Sequence, residues 1–410
     1  MKRKLLRQML NEWRSNIWIV IELVIVLLVL QLIFGMLYSI YSLRKPVLHA
    51  DLDDIYVAWI DNLEEDCDGY VPYDSAHSAA TDLEMLMTRL RSSRYVEKAA
   101  YGTQNAIPYQ YNFWGTAVGL PGDDTRTSFF INVRGMSPEM MEVMQIRGAR
   151  GETPGQLADL MRKGYVLISE AELQYDENVP EADGFVGKDV EKKHDPPEIH
   201  HVGAIAEPMR RSDFEPAFYG TWYEPIEPDE ARVIVLRVKP GMGHRFIESM
   251  NDTALRSGNM FLTDFTCMSD LRDMCQMDTT QAVNGITVCA LFVLVMIFLG
   301  FLGTFWFRTQ QRVSEIAIRK VNGATDRDIY QRFFAEGLTL LGVAVVVASP
   351  VTVWIVRNLG DMMDLSILDN ELAVPVIFSI VVLGLLIIAG IYAPARRAAS
   401  VNPAEALKDM

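Results

Sequence analysis

Four long apolar blocks decide what this chain can fold into. They occupy residues 17–40, 283–307, 333–357 and 372–393. A hydrocarbon core about 30 Å thick takes about 20 apolar residues in a helix that rises 1.5 Å per residue, and the helix satisfies its own backbone polar groups where no water can. A water-soluble core would scatter the same residues with a period of two or 3.6. The blocks therefore predict four transmembrane α-helices. The first follows a basic start (Lys2, Arg3, Lys4, Arg7) as a secretory signal would. Its apolar stretch, 17–38, runs about 22 residues, beyond the usual signal length, and no small-x-small cleavage site follows, so it reads as an uncleaved span. Pro350 and Pro375 are tolerable in membrane helices, where neighbouring groups satisfy the freed carbonyls.

Charge orients the spans. Lys and Arg gather in the 1–16 tail, in the 308–332 loop (Arg308, Arg312, Arg319, Lys320, Arg327, Arg332) and in the 394–410 tail (Arg396, Arg397, Lys408), whereas the 358–371 loop is acidic. The positive-inside rule puts both termini and the 308–332 loop in the cytoplasm, with Trp13, Trp18, Trp306 and Tyr392 at the inner interface. Residues 41–282 are then outside. The formal net charge is −15, and 44–282 carries an acidic excess larger than that total, which argues against nucleic acid as a partner.

The 41–282 segment reads as a mixed α/β domain inserted between the first two spans. Residues 81–91 have helical spacing, with Thr81 and Glu84 as a capping box. SFFINVRG and ARVIVLRVKPG read as strands ending at glycines. HRFIESMNDTALRSGN reads as an amphipathic helix with Phe246, Ile247, Met250 and Leu255 on its apolar side. The aromatic stretch Phe214, Phe218, Tyr219, Trp222 and Tyr223 reads as core. Cys67, Cys267 and Cys275 lie outside, where one disulfide is allowed without the pair being specified; Cys289 packs in a span.

Catalytic motifs are missing. Gly184-Phe-Val-Gly187-Lys188-Asp189 lacks the spacer and the Ser/Thr of a phosphate-binding loop, and neither G-x-S-x-G nor H-E-x-x-H occurs. His194, His200 and His201, near Asp195 and Glu198, read as a solvated loop rather than a metal site. Glu22 and Gln31 lie in the first span; Glu22 sits roughly 8 Å deep, close enough to snorkel or to pair with Arg14 instead of relaying protons.

The most informative segment is RTQQRVSEIAIRKVNGATDRDIYQRFF. Val313, Ile316, Ala317 and Val321 share one helical face, with Arg312, Glu315 and Arg319 elsewhere. Asn322-Gly323 ends that helix in a left-handed cap, and Thr325-x-x-Asp328 opens the next with a capping box. Spacing alone leaves two readings open: an interfacial helix covering lipid headgroups, or a docking helix whose Ile316 and Val321 present apolar surface to a cytoplasmic partner.

SEIAIRKVNGA before a helical span resembles the cytoplasmic signature of the FtsX-like permease family, in particular the MacB-type ABC transporter subunits. The ending YAPARRAASVNPAEALK is similar to that family's close at Pro394, Arg396, Ala398, Pro403, Ala406 and Leu407. FFINVRGMSPEM, GYVLISEAEL, GFVGKDV and HHVGAIAEPM follow the order of the MacB-type periplasmic core domain. The resemblance implies a permease subunit in the bacterial inner membrane. It implies stalk helices at both ends of the outer domain and a second permease copy or homologue completing a dimer. ATP would be bound by a separate cytoplasmic ABC ATPase, since no nucleotide-binding module is attached, and the subunit would need no cofactor and be no enzyme itself. ATPase coupling falls on Glu315, Ile316, Ile318, Arg319, Val321, Gly323 and Ala324. A periplasmic adaptor and an outer-membrane channel would complete an efflux assembly. Two other roles share the topology: FtsX-like control of a periplasmic partner, and lipoprotein extraction.

Overall fold

The computed structural model describes residues 13–74, 77–110, 114–122, 129–172, 181–193, 196–250, 255–359 and 372–399. The chain divides into two compact units, one of Met1–Ser42 with Thr280–Met410 and one of Leu43–Thr279.

The first unit holds helices α1 (Trp13–Leu43), α7 (Met277–Gln311), α9 (Asp326–Leu359) and α10 (Ala373–Ala399), with the short α8 (Val313–Val321) between α7 and α9. Stretches of all four long helices are long and apolar enough to cross a membrane. The helices extend beyond the apolar blocks because polar turns at their ends keep helical hydrogen bonding once in water. On α1 the buried stripe is Ile19, Leu23, Leu27 and Leu30, at helical spacing. It belongs to one cluster with Phe301 and Phe305 of α7, Leu340, Leu341, Ala344 and Ala348 of α9, and Leu383, Ile387 and Ile391 of α10. Val288, Leu291, Phe292 and Met296 of α7 are exposed, as side chains facing lipid would be.

The second unit is the inserted α/β domain, built on strands β1 (Ile55–Asn62), β2 (Val96–Gly102), β3 (Gly115–Gly119), β4 (Phe129–Met136), β5 (Val166–Ile168), β6 (Asp189–Lys192), β7 (Glu198–Ile205), β8 (Gly220–Pro225), β9 (Val233–Val238), β10 (Arg256–Ser257) and β11 (Met260–Cys267). Their order is β10-β11-β1-β9-β2-β4-β3-β6-β7-β5-β8, and β8 pairs back onto β4. The last six strands therefore close into a barrel, with β4–β8 and β5–β7 parallel. Its interior holds Ile131, Val133, Val166, Val190, Val202 and Trp222. The first five form an open sheet joined to the barrel through Gly102 opposite Met136. A Cβ at Gly102 would fall 2.4 Å from the Ala106 methyl, so no larger residue fits that junction.

Both faces of the open sheet are covered, which is why β9 reads VIVLRV rather than as an alternation. Ile234 and Leu236 meet Leu83, Leu86 and Leu90 of α2 (Ala79–Arg91). Val233 and Val235 cluster with Met140 and Met144 of α3 (Glu139–Met144), Leu157 and Met161 of α4 (Pro154–Arg162), and Met268 and Leu271 of α6 (Met268–Cys275).

Three sequence expectations need correction here. The cap of α2 is Ser78, whose hydroxyl accepts from Thr81 N at 3.2 Å, so the helix starts two residues before Thr81. The helix expected over 244–259 begins as α5 (Gly243–Ser249), residues 251–254 lie outside the described residues, and its expected end is instead a hairpin of Arg256–Ser257 with β11, turning at Gly258, φ +53°. Phe246 is buried there as expected, but Ile247 is exposed. Of the aromatic stretch, Trp222 and Tyr223 are core while Tyr219 is exposed beside Phe130. All four cysteines are free thiols.

Candidate partner-docking helix

α8 is held at both ends by local backbone chemistry. At its C-terminus Gly323 takes φ +89°. Its N–H reaches Lys320 O at 3.0 Å, and Ala324 N reaches Arg319 O at 3.0 Å, the paired bonds of a Schellman ending. Thr325 then caps α9: its hydroxyl accepts from Asp328 N at 3.3 Å while the Asp328 carboxylate accepts from Thr325 N at 2.9 Å. Both features match the sequence reading.

Ion pairs fix the helix laterally. Glu315 accepts from Arg319 at 2.7 Å and from Arg332 of α9 at 3.3 Å. Partial burial disfavours the Glu315 charge, but the Arg319 hydrogen bond and the Arg332 charge outweigh it and hold its pKa below the ordinary carboxylate value. Lys320 meets Asp326 at 2.9 Å. One turn along α9 from Arg332, the buried Glu336 receives Arg308 at 3.1 Å and Arg312 at 2.9 Å. This cluster was missed by the sequence reading. Its signal was an acidic residue in the helix that becomes the third span, a position where charge demands a partner.

The faces of α8 differ from the sequence expectation. Ile316 is 6 % exposed and packs in the bundle cluster, and Ala317 beside it is 1 % exposed. Val321 is 64 % exposed and Ile318 48 %. At about 100° per residue, Val321 lies some 140° from Ile316, too far to share its buried side. The apolar surface on offer is thus Ile318 with Val321, and Ile316 is an anchor. The side chains of Val313 and Ser314 are outside the described residues. Of the C-terminal motif, Pro394 is buried within α10 and Arg396 is exposed; Pro403 and Leu407 lie outside the described residues. Arg397 stacks over Trp306, 4.8 Å from the ring centroid.

The remaining candidates separate. Gln31 is buried, donating to Ser349 at 3.3 Å and accepting from Thr352. Glu22 is half-buried. His200 and His201, neighbours on β7, face opposite sides of the strand: His200 packs edge-on to Trp222, and His201 meets Asp189 at 2.9 Å. His194 and Asp195 lie outside the described residues, among which no group of three or more His, Cys, Asp or Glu could hold a metal.

Residues 287–403 match the family model described as FtsX-like permease C-terminal, a stretch that contains all of α8. No curated protein matches the chain. Among solved structures, the extracellular domain of the noncanonic ABC-type transporter YknZ from Gram-positive bacteria is similar at 10 % identity and TM-score 0.32, covering 51 % of this chain and 100 % of that one.

Proposed function

We propose that this chain is the membrane subunit of a MacB-like ABC system and that α8 passes the work of a separate cytoplasmic ATPase to the inserted domain. The observation that carries the reading is α8 itself. An exposed apolar edge, Ile318 and Val321, stands on a helix braced by Glu315, Arg319 and Arg332, within the stretch that matches the permease model. A helix covering headgroups alone would need no such bracing, whereas a lever must be stiff. In this reading both termini and α8 are cytoplasmic and the inserted domain is periplasmic. A second copy completes a dimer, ATP is bound only by the partner, and the output is mechanical, as in efflux through an adaptor and an outer-membrane channel.

The test uses the full-length chain with Cys67, Cys267, Cys275 and Cys289 all replaced by Ser as background, purified from its native membrane in mild detergent. A photoactivatable cross-linker on Val321→Cys should capture a nucleotide-hydrolysing protein, and one on Leu291→Cys should not. In intact spheroplasts an impermeant maleimide should label Ile199→Cys but not Val321→Cys. Labelling of Val321→Cys from outside would reject the topology. Failure of capture at 321 with the topology intact would leave α8 as a headgroup-covering helix and favour regulation of a periplasmic partner.

A further inference from the structure

The loop around Arg210 and Asp213 bonds to both chain segments that connect the inserted domain to the long apolar helices. On one side, Arg210 Nη1 donates to Leu43 O at 2.7 Å, capping the last residue of α1, and Lys45 N donates to Asp213 O at 2.9 Å. On the other side, Arg272 of α6, the helix that precedes α7, donates from Nε to Asp213 Oδ2 at 2.7 Å. The loop is itself rigidly held. The buried Arg210 guanidinium bonds both oxygens of Glu172, at 2.5 and 2.9 Å, and Glu172 also accepts from Ala217 N at 3.0 Å. Asp213 Oδ1 accepts from the Tyr109 hydroxyl at 3.0 Å.

Tyr109 has φ +61°, a left-handed conformation that costs a bulky side chain energy and persists only where surroundings impose it. That conformation delivers its hydroxyl to Asp213. Burial beside the Asp213 charge pushes the Tyr109 pKa up, which keeps the hydroxyl a donor. Asp213 is 3 % exposed, and a buried carboxylate shared between a hydroxyl and a guanidinium is lost as a unit when either partner goes. A cavity of about 490 Å³ lies beside the group, lined by Arg44, Pro46, Asp51, Asp53 and Ser269, so the segment after α1 has room to shift when unclamped.

We propose that loop 210–213 is a clamp that locks the chain leaving α1 to the helix feeding α7, so that the two connections move as one body. A displacement of either connection would then reach the inserted domain without being absorbed by a slack strand. The inference stands apart from what drives the apolar helices, and it assigns Arg210, Asp213, Tyr109 and Arg272 a mechanical role.

Hydrogen exchange of the full-length protein in nanodiscs tests it. Arg272→Met removes the contact on the α6 side, and Arg210→Met removes the cap on the α1 side together with the Glu172 pair that holds the loop, with β4 and β9 as the control for wider loosening. The expected result is reciprocal. Arg272→Met speeds exchange at Lys45 N–H at least tenfold, and Arg210→Met does the same in 268–275, while β4 and β9 keep their protection. Asp213→Asn, which preserves shape, should speed both segments together. Effects confined to the side carrying the substitution would overturn the proposal, because the contacts would then be local. Loss of protection in β4 and β9 in all three variants would also overturn it, since the loop would then be holding the whole domain.

Discussion

Arg332 Nη2 lies 3.3 Å from Glu315 Oε1, tying a short amphipathic helix to the following long one across 17 residues of chain. The pair is half-exposed, so its contribution to global stability is small, about 0–1 kcal/mol. Its effect is on where α8 points. Glu315 also binds Arg319, and losing the carboxylate releases both.

This gives a pH prediction with a definite sign. The Glu315 pKa is held below its ordinary value, so the bracing is present in full above the unfolded carboxylate value, about 4.3, and fades as pH falls through the lower folded value. A spin label at Val321→Cys should report constant, restricted motion from pH 7 to 5 and rising mobility below pH 4. In Glu315→Gln the label should be mobile throughout and insensitive to pH. A restricted label in that variant at pH 7 would show that the Schellman turn alone fixes the helix.

Glu336 makes a contrasting prediction. Its carboxylate is buried and shared by Arg308 and Arg312, so Glu336→Ala leaves two guanidinium groups with a lost partner in a low-dielectric setting. Removing one partner of a buried ionic group costs about 3–5 kcal/mol. The variant should insert but unfold at markedly lower denaturant or temperature in detergent, whereas Glu22→Gln, at a half-buried position, should change stability by less than about 1 kcal/mol. Equal losses from the two would mean that the cluster is solvated.

Local backbone rules were legible because they depend on neighbours in sequence. Gly323, Thr325 and Asp328 could be read directly, since a left-handed cap and a capping box need only a few residues. The spans were legible because lipid imposes one length and one composition. Tertiary choices were not. The parallel β4–β8 pairing that closes the barrel joins strands far apart in the chain, and no local pattern encodes it. The apolar stripe of α8 was wide enough to contain Ile316 and Val321, but only packing decides which part the bundle covers. The periodicity after His244 ran on through Ser257-Gly258-Asn259, where the turn residues outweighed it.

Gly323 carries the third prediction. With φ +89°, a residue with a Cβ is strained there whatever the space around it, by about 1 kcal/mol or more, and a β-branched one more severely. Asn accepts the left-handed region better than other L-residues. Gly323→Val should lower the unfolding temperature and scatter the spin label at position 321, and Gly323→Asn should restore most of both. If Val and Asn behave alike, the turn tolerates a different backbone conformation.

The last prediction separates anchoring from docking on one helix. Ile316 and Ile318 are two residues apart, about 200° around α8, and have opposite environments: Ile316 is packed in the bundle cluster and Ile318 is 48 % exposed. Burying such a side chain contributes about 1.5–3 kcal/mol, but to different equilibria. For Ile316 the term belongs to folding, so Ile316→Asp should lower the stability of the isolated chain, and any loss of partner binding should follow from that. For Ile318 and Val321, in the proposed docking, the term would belong to association. Ile318→Asp should leave the unfolding temperature of the isolated chain within about 2 °C, since surface changes stay near 0.5 kcal/mol, while reducing ATPase retention in detergent at least tenfold. Val321→Asp should behave like Ile318→Asp. Co-purification and thermal unfolding on the same preparations read both equilibria. If Ile318→Asp and Val321→Asp retain the ATPase at full stability, docking through the exposed edge of α8 is rejected and the headgroup-covering reading of the helix gains ground.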